Sequence, residues 1–201
     1  MQCGLPEPGQ LRINEVMIDG EPAEDTEFIE MLNVTDMPLS LRGIEVLSNR
    51  GHVLSSRVRF FEGCLPARAV VTMYSDPDRW LMPFRGRDAF EIEMERFGFP
   101  NSADFDFRIH DHLGRELDRF NGDRSLIRPG VSVTRFPDRF SNAPKRHDEV
   151  SRFDSSPGLC TNGFSFASSC MSDNETRKDV IDILLRSLPW GIMDSLDWEE
   201  P

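Results

Sequence analysis

Lysine is nearly absent from this sequence. Of 23 basic residues only Lys145 and Lys178 are lysine and the other 21 are arginine. That leaves few candidates for a catalytic amine and favours the planar, bidentate pairing of guanidinium with carboxylate. Positive charge is itself scarce. The 35 acidic residues bring the formal net charge to −12, a field that repels phosphate backbones and argues against nucleic-acid binding. No apolar run reaches the ~18–20 residues of a membrane helix, and the opening MQCGLPEPGQ carries no signal sequence. There is no C-x-x-C pair, no G-x-S-x-G elbow, no H-E-x-x-H helix and no glycine loop ending in Lys-Ser/Thr. Zinc-knuckle, thioredoxin-like, serine-hydrolase, zincin and P-loop chemistries therefore have no local signature. The chain is expected to be non-catalytic and to need no cofactor.

What is present suits one domain of sandwich or barrel size: 201 residues, 38% of them hydrophobic, too apolar for a disordered acidic tail. Residues 1–10 are broken by Gly4, Pro6, Pro8 and Gly9 and are expected to form an extended lead-in. Short segments with period-2 alternation follow at 11–18, 27–33, 44–47, 57–60, 69–73, 104–109, 115–120 and 131–135. Asp111 and Gly114 supply turn chemistry between the 104–109 and 115–120 pair, which predicts a hairpin. Many short strands without long intervening helices indicate an all-β antiparallel sandwich or barrel, with one face of each strand wet. A helical turn is expected near Pro77–Pro83, capped by Asp76. The segment Asn142–Ser156 is polar and without period, and is expected to be a surface loop.

From residue 167 the character changes. A linker, 167–175, leads to a helix over Thr176–Leu188, with Val180, Ile181, Leu184 and Leu188 on one face and Pro189 as its stop. Two of the three tryptophans, Trp190 and Trp198, follow. The bland reading packs this helix on its own domain. The functional one makes Ile181, Leu184, Leu188, Trp190 and Trp198 a docking segment for another protein or a second copy. The expected organisation is lead-in 1–10, β-domain 11–166, and linker with amphipathic helix 167–201.

Chemistry-bearing residues are few. Glu15, Glu27 and Glu30 can cluster across neighbouring strands, as acids for hydrolysis or, with Asp19, Glu21, Glu24 and Asp25, as calcium ligands. Strand acids more often pair with arginine on a wet face, and no calcium-loop spacing is present. His110 and His112 can share one face of a strand as half a metal site, but they fall at the hairpin turn, while His52 and His147 join only by folding. Four cysteines, Cys3, Cys64, Cys160 and Cys170, permit disulfides outside the cytoplasm, and Cys160–Cys170 would close a small loop. Cys3, followed by Gly4 and a proline-rich spacer, is like the mature start of a lipoprotein, so a lipid anchor is an open alternative.

In order, LRINEVMIDG with EDTEFIEMLNVTDMPLSLRGIEVLS, then FFEGCLPARAVVTM, GFPNSADFDFRIHDHLGRELDRF, SVTRFPD and SSPGLCTNG resemble the lamin tail domain over residues 11 to 163. The residues that carry the likeness are Asn14 and Glu15, Glu27 to Glu30 with Asn33, Leu41 with Gly43, the Leu-Pro before an apolar strand, the Ser-x-x-Arg strand and the closing Pro-Gly. The resemblance implies an immunoglobulin-like β-sandwich with a core fed by Phe28, Ile29, Leu41, Val70 and Phe107. It also implies a structural or protein-interaction role in a bacterial cell envelope, periplasmic, surface-bound or secreted. The alternative is a metal- or ligand-binding accessory of a secreted hydrolase.

Overall fold

A computed structural model describes residues 3–19, 27–50, 53–74, 89–93, 97–136 and 141–160, with backbone alone at 50, 53–56 and 89–93. All of these fall within one compact unit, Met1–Cys170. The turn expected at Pro77–Pro83, residues His52, Glu21, Glu24, Asp25 and Cys170, and the whole of 167–201 with Ile181, Leu184, Leu188, Trp190 and Trp198 lie outside the described residues.

The described chain is all-β, with strands at β1 Leu11–Met17, β2 Phe28–Asn33, β3 Leu39–Ser40, β4 Glu45–Arg50, β5 Val53–Arg59 and β6 Cys64–Leu65. They continue with β7 Val70–Tyr74, β8 Ala89–Glu93, β9 Phe105–His110, β10 Glu116–Gly122, β11 Val133–Arg135 and β12 Pro144–Arg146, and one short helix, α1, His147–Val150. They form a six-stranded sheet, β12-β11-β1-β2-β7-β8, a four-stranded sheet, β10-β9-β4-β5, and the pair β3-β6. Every strand pairing is antiparallel except β7 with β8. The predicted hairpin is there. Gly114 takes φ 78°, and the Asp111 carboxylate receives the backbone N–H of Leu113 and Arg115, each at 2.9 Å.

The two larger sheets share one core. Leu11, Ile13 and Val16 of β1, Ile29 and Met31 of β2, and Val71 and Met73 of β7 meet Val46 of β4, Phe105, Phe107 and Ile109 of β9, and Leu117 and Phe120 of β10. Ile29, Leu41 and Phe107 join it as expected. Phe28 and Val70 do not. They lie on the opposite face of the six-stranded sheet, Phe28 with Met17 and Tyr74, Val70 with Leu32, Val34 and Cys160. β1 and β2 are thus covered on both faces rather than wet on one. The cover comes from within 144–160, which overlaps Asn142–Ser156, the segment expected to be a surface loop. The stretch contains β12, the edge strand of this sheet, and α1, and it buries His147, Ser155 and Ser156. Its polar composition misleads because its burial is through hydrogen bonds rather than apolar side chains.

One end of the fold is cross-braced. Asn33, at the end of β2, donates to the carbonyls of Met37 (2.8 Å), Leu65 (3.2 Å) and Pro66 (2.8 Å) and accepts from Thr35. Gly43 has φ 77°, and a Cβ there would stand 2.7 Å from the Cβ of His112, so only glycine fits. The lead-in is strapped on by Gly4 to Pro38 and Ser40 and by Gly9 to Leu117. A Cys3–Cys64 disulfide closes the strap. A sulfur in that bond has no thiol left for a lipid thioether. The two cysteines are 61 residues apart, and in the chain-entropy account closing such a loop is worth roughly 4 kcal/mol. The Cys3→Ser/Cys64→Ser double variant should lose about 2–4 kcal/mol in chemical denaturation, with its far-ultraviolet circular dichroism unchanged.

Candidate functional site

The most unusual chemistry in the molecule lies between the six-stranded sheet and the 144–160 cover. β1 pairs with β2 in register up to Ile13, then skips a residue so that Glu15 faces Glu30. Asn14 is the extra residue of a β-bulge, which resets the alternation. Leu11, Ile13, Val16 and Ile18 all keep to the shared core, and Glu15 is turned outward beneath the cover. Thr134, Glu15, Glu30 and Thr72 are cross-strand partners along one row. Glu15 and Glu30 are completely buried, as are Asn14, Ser132, His147 and Ser156 to within 2%.

A buried carboxylate is tolerated only where donors replace its water. Glu15 Oε1 accepts from Ser132 Oγ at 2.6 Å and from the Ser156 backbone N–H at 2.8 Å, and Oε2 accepts from Ser156 Oγ at 2.8 Å. Glu30 Oε1 accepts from Asn14 Nδ2 at 2.9 Å and Oε2 from the Gly158 N–H at 2.5 Å. His147 backs the group. Its Nδ1 is 2.8 Å from the Phe153 carbonyl oxygen and its Nε2 2.9 Å from Ser156 Oγ, with Glu15 Oε2 3.9 Å away.

A carbonyl oxygen only accepts, so Nδ1 of His147 is the donor to Phe153, and the Ser156 hydroxyl stands between Nε2 and the Glu15 carboxylate.

A serine against an imidazole invites comparison with nucleophilic catalysis. The geometry opposes it. A carboxylate 2.8 Å from the Ser156 oxygen would repel a developing oxyanion, and the serine is closed off from solvent. Its hydrogen bonds join elements 141 residues apart in sequence.

Glu27, the third acid of the expected cluster, stands half-buried just before β2 and is not among the described partners of Glu15. Glu15 and Glu30 were expected on a wet face, paired with arginine. Burial beneath 144–160 gives Glu15 serine and backbone donors instead. The wet-face expectation does hold on the four-stranded sheet. There Asp106 is bonded by Arg108 and by Arg119, the shortest contacts being 2.6 and 2.8 Å. Burial raises the Asp106 carboxyl, but the two guanidinium hydrogen bonds outweigh it and hold it below its ordinary value. A lowered folded-state value stabilises the fold above the unfolded value and is lost as pH falls through the folded one. Asp106→Asn should therefore cost about 1 kcal/mol at neutral pH, with the deficit vanishing in acid when denaturation is repeated across a pH series.

His110 and His112 do not form a pair. His110 ends β9, half-buried with Nε2 3.9 Å from Glu116, and His112 is exposed in the turn against Gly43. Among the described residues no group of three or more His, Cys, Asp or Glu is placed to hold a metal ion. No family model matches the chain, and no curated protein matches it either.

A second buried polar centre lies on the other face of the same sheet, where β11 meets β10. Arg135, 1% exposed, donates to the carbonyls of Ile13 (2.6 Å), Ser141 (3.0 Å) and Arg119 (2.7 Å) and to both oxygens of Asp118 (3.1 and 2.9 Å). It also lies over the Phe120 ring, 5.1 Å from its centroid. Burial raises the Asp118 carboxyl despite Arg135, the Ile13 N–H and Arg12, and burial lowers Arg135 despite Asp118. The guanidinium stays charged, since its ordinary value is far above neutrality.

Sequence reasoning missed Ser132, His147 and Ser156 as a set with Glu15. The signals that bore on them were the Ser-x-x-Arg strand and the Pro-Gly segment. Ser132 and Arg135 are the two ends of the first, and Gly158, at φ 79°, belongs to the second. Cys160 is completely buried and disulfide-bonded.

Proposed function

We propose that this chain is a non-catalytic structural or protein-interaction module with a sandwich of lamin-tail type, working in a bacterial cell envelope or secreted assembly. The observation that carries the reading is where the polar chemistry goes. The residues behind the resemblance, among them Asn14, Glu15, Glu30, Asn33, Ser132, Arg135 and Gly158, all make internal contacts that fix one sheet, one cover and one set of loops. What remains for a partner is the outside. Among the described residues the exposed large apolar side chains, Leu5, Met37, Phe61 (81%) and Leu113 (79%), sit on loops of the cross-braced end. The Arg115 guanidinium ties the hairpin to Pro6 and Glu7 there, and residues 41–43 pair with 60–63. Rigid loops that present apolar tips lose little entropy on binding. Disulfide bonding at Cys3, Cys64 and Cys160 supports an oxidising compartment.

Native co-purification from the source organism tests the proposal, with the full chain compared against Phe61→Ser/Leu113→Ser. A stoichiometric protein partner recovered by the first and lost by the second is expected. Recovery of the chain from its source without any protein partner would overturn the reading. The melting temperature should also be unmoved by chelator, calcium or zinc, whereas a resident metal at 100 times its Kd would add roughly 2.7 kcal/mol of apparent stability.

A further inference from the structure

The four-stranded sheet has two unlike edges. β10, at one edge, is occupied: its Leu117 carbonyl receives Gly9, its Asp118 receives the Ile13 N–H, and its Arg119 carbonyl receives Arg135. β5, at the other, pairs among the described strands with β4 alone. An outer strand with a free side presents a row of backbone donors and acceptors ready for another strand.

The side chains at the end of β5 say what kind of strand fits. Arg57 and Arg59, two residues apart, share one face. Both turn to a single carboxylate, Glu45, at 3.7 and 3.5 Å, and remain 63% and 49% exposed. Two guanidiniums against one acid leave this edge positive in a chain of net charge −12. Between them Val58 faces the core but is only partly buried against it, so the rim of the core is unfinished here. An added strand would need acids at alternate positions on one face and apolar side chains on the other.

This chain contains such a segment outside the described residues. In Asp194-Ser195-Leu196-Asp197-Trp198-Glu199-Glu200 the apolar Leu196 and Trp198 alternate with Asp197 and Glu199. Read as a strand, its acids are spaced like Arg57 and Arg59, and its apolar pair falls on the Val58 side.

We propose that residues 194–200 of a second copy add as a strand to β5, placing Asp197 and Glu199 against Arg57 and Arg59 and covering Val58 with Leu196 and Trp198. The contact joins different surfaces of the two copies, so it propagates head to tail unless the copies close into a ring. The inference rests on the interaction-module reading and names one partner for it.

Sedimentation velocity of the full chain from micromolar to several hundred micromolar concentration tests it. Association that strengthens with concentration and weakens with salt is expected. Arg57→Glu/Arg59→Glu alone and Asp197→Arg/Glu199→Arg alone should each weaken it by about tenfold, and the four changes in one chain should restore it. Thermal melts confirm that each variant is folded. A chain that stays monomeric, association that ignores both reversals, or loss by the β5 reversal without loss by the 197/199 reversal would each overturn the inference. The last outcome would assign the edge to an acidic strand of another protein. A monomeric chain that still co-purifies with a different protein would overturn this inference and leave the module reading standing.

Discussion

Glu15→Ala should unfold this domain more readily than any other single truncation of an acid. The substitution strands three donors that the carboxylate satisfies, the Ser132 hydroxyl and the backbone N–H and hydroxyl of Ser156. At about 1–3 kcal/mol for each buried group left without a partner, and with relaxation recovering part of it, the expected loss is about 3–5 kcal/mol. Domains of this kind are stable by only about 5–15 kcal/mol, so the variant is expected to be marginal at physiological temperature. Glu15→Gln keeps the shape but turns an amide N–H₂ toward groups that already donate, and should lose about 1–2 kcal/mol. The glutamine loss carries the test, because a cavity alone would penalise alanine and leave the isosteric glutamine close to native. Hydrogen exchange adds a spatial signature. Protection should fall across 147–160, which Glu15 holds down, before it falls in the β9–β10 hairpin on the other sheet. Equal loss in both regions would mean that the carboxylate supports the whole core rather than the cover.

The same residues explain why a polar cluster stands where apolar packing would be more stable. An apolar cover slides, whereas 147–158 has one seat. Ser156 must meet Glu15, Gly158 must meet Glu30, and the His147 backbone N–H must reach the Ser132 carbonyl at 2.9 Å. Directional bonds to buried groups specify one arrangement at some expense in stability. Glu30 also separates two apolar patches on its strand, Phe28 with Met17 on one side and Leu32 with Val70 and Cys160 on the other. The cover is therefore pinned in the middle and greased at both ends.

How much of this was legible in the sequence follows from the range of each interaction. The strands and the hairpin were readable because alternation and the Asp111–Gly114 turn are local. β3, β6 and β12 were not, since two or three residues carry no period, and β8 was not read either. The direction of Glu15 was hidden by the bulge. A strict alternation from Leu11 and Ile13 sends Glu15 into the shared core, and only the register against β2 reveals that Asn14 is an extra residue. The cover was misread for a similar reason. Ser156 and His147 look solvated by composition, and the group that dries them is Glu15, more than a hundred residues away. The resemblance to the lamin tail reached some of these residues, because Asn-Glu, Ser-x-x-Arg and Pro-Gly all fall at or beside the buried centres. Arg135 was visible as a motif residue, but nothing local showed that it would be buried.

Arg135→Met should produce the second large loss, about 3–5 kcal/mol, because it leaves Asp118 buried with Arg12 at 3.7 Å as its remaining ion partner. Arg135→Lys is expected to rescue little. One ammonium cannot reach the Ile13, Ser141 and Arg119 carbonyls and both oxygens of Asp118 together, and it cannot lie flat over Phe120. The pH dependence separates lost charge from lost packing. In the native protein burial already holds Asp118 above its ordinary value, against the pull of Arg135. Removing the guanidinium raises it further. A raised folded-state value means that the native state binds the proton more tightly than the unfolded chain, so this contribution to stability is present below the unfolded value and is lost as pH rises through the folded one. The deficit of Arg135→Met against the native chain should therefore be largest at neutral pH and shrink as acid neutralises Asp118. In a double-mutant cycle, Arg135→Met with Asp118→Leu should lose less than the two single variants summed, with a coupling of about 1–3 kcal/mol. A deficit that stays constant from neutral to acid, with no coupling in the cycle, would assign the whole effect to the packing of the arginine stem on Phe120 and leave Asp118 without a part in it.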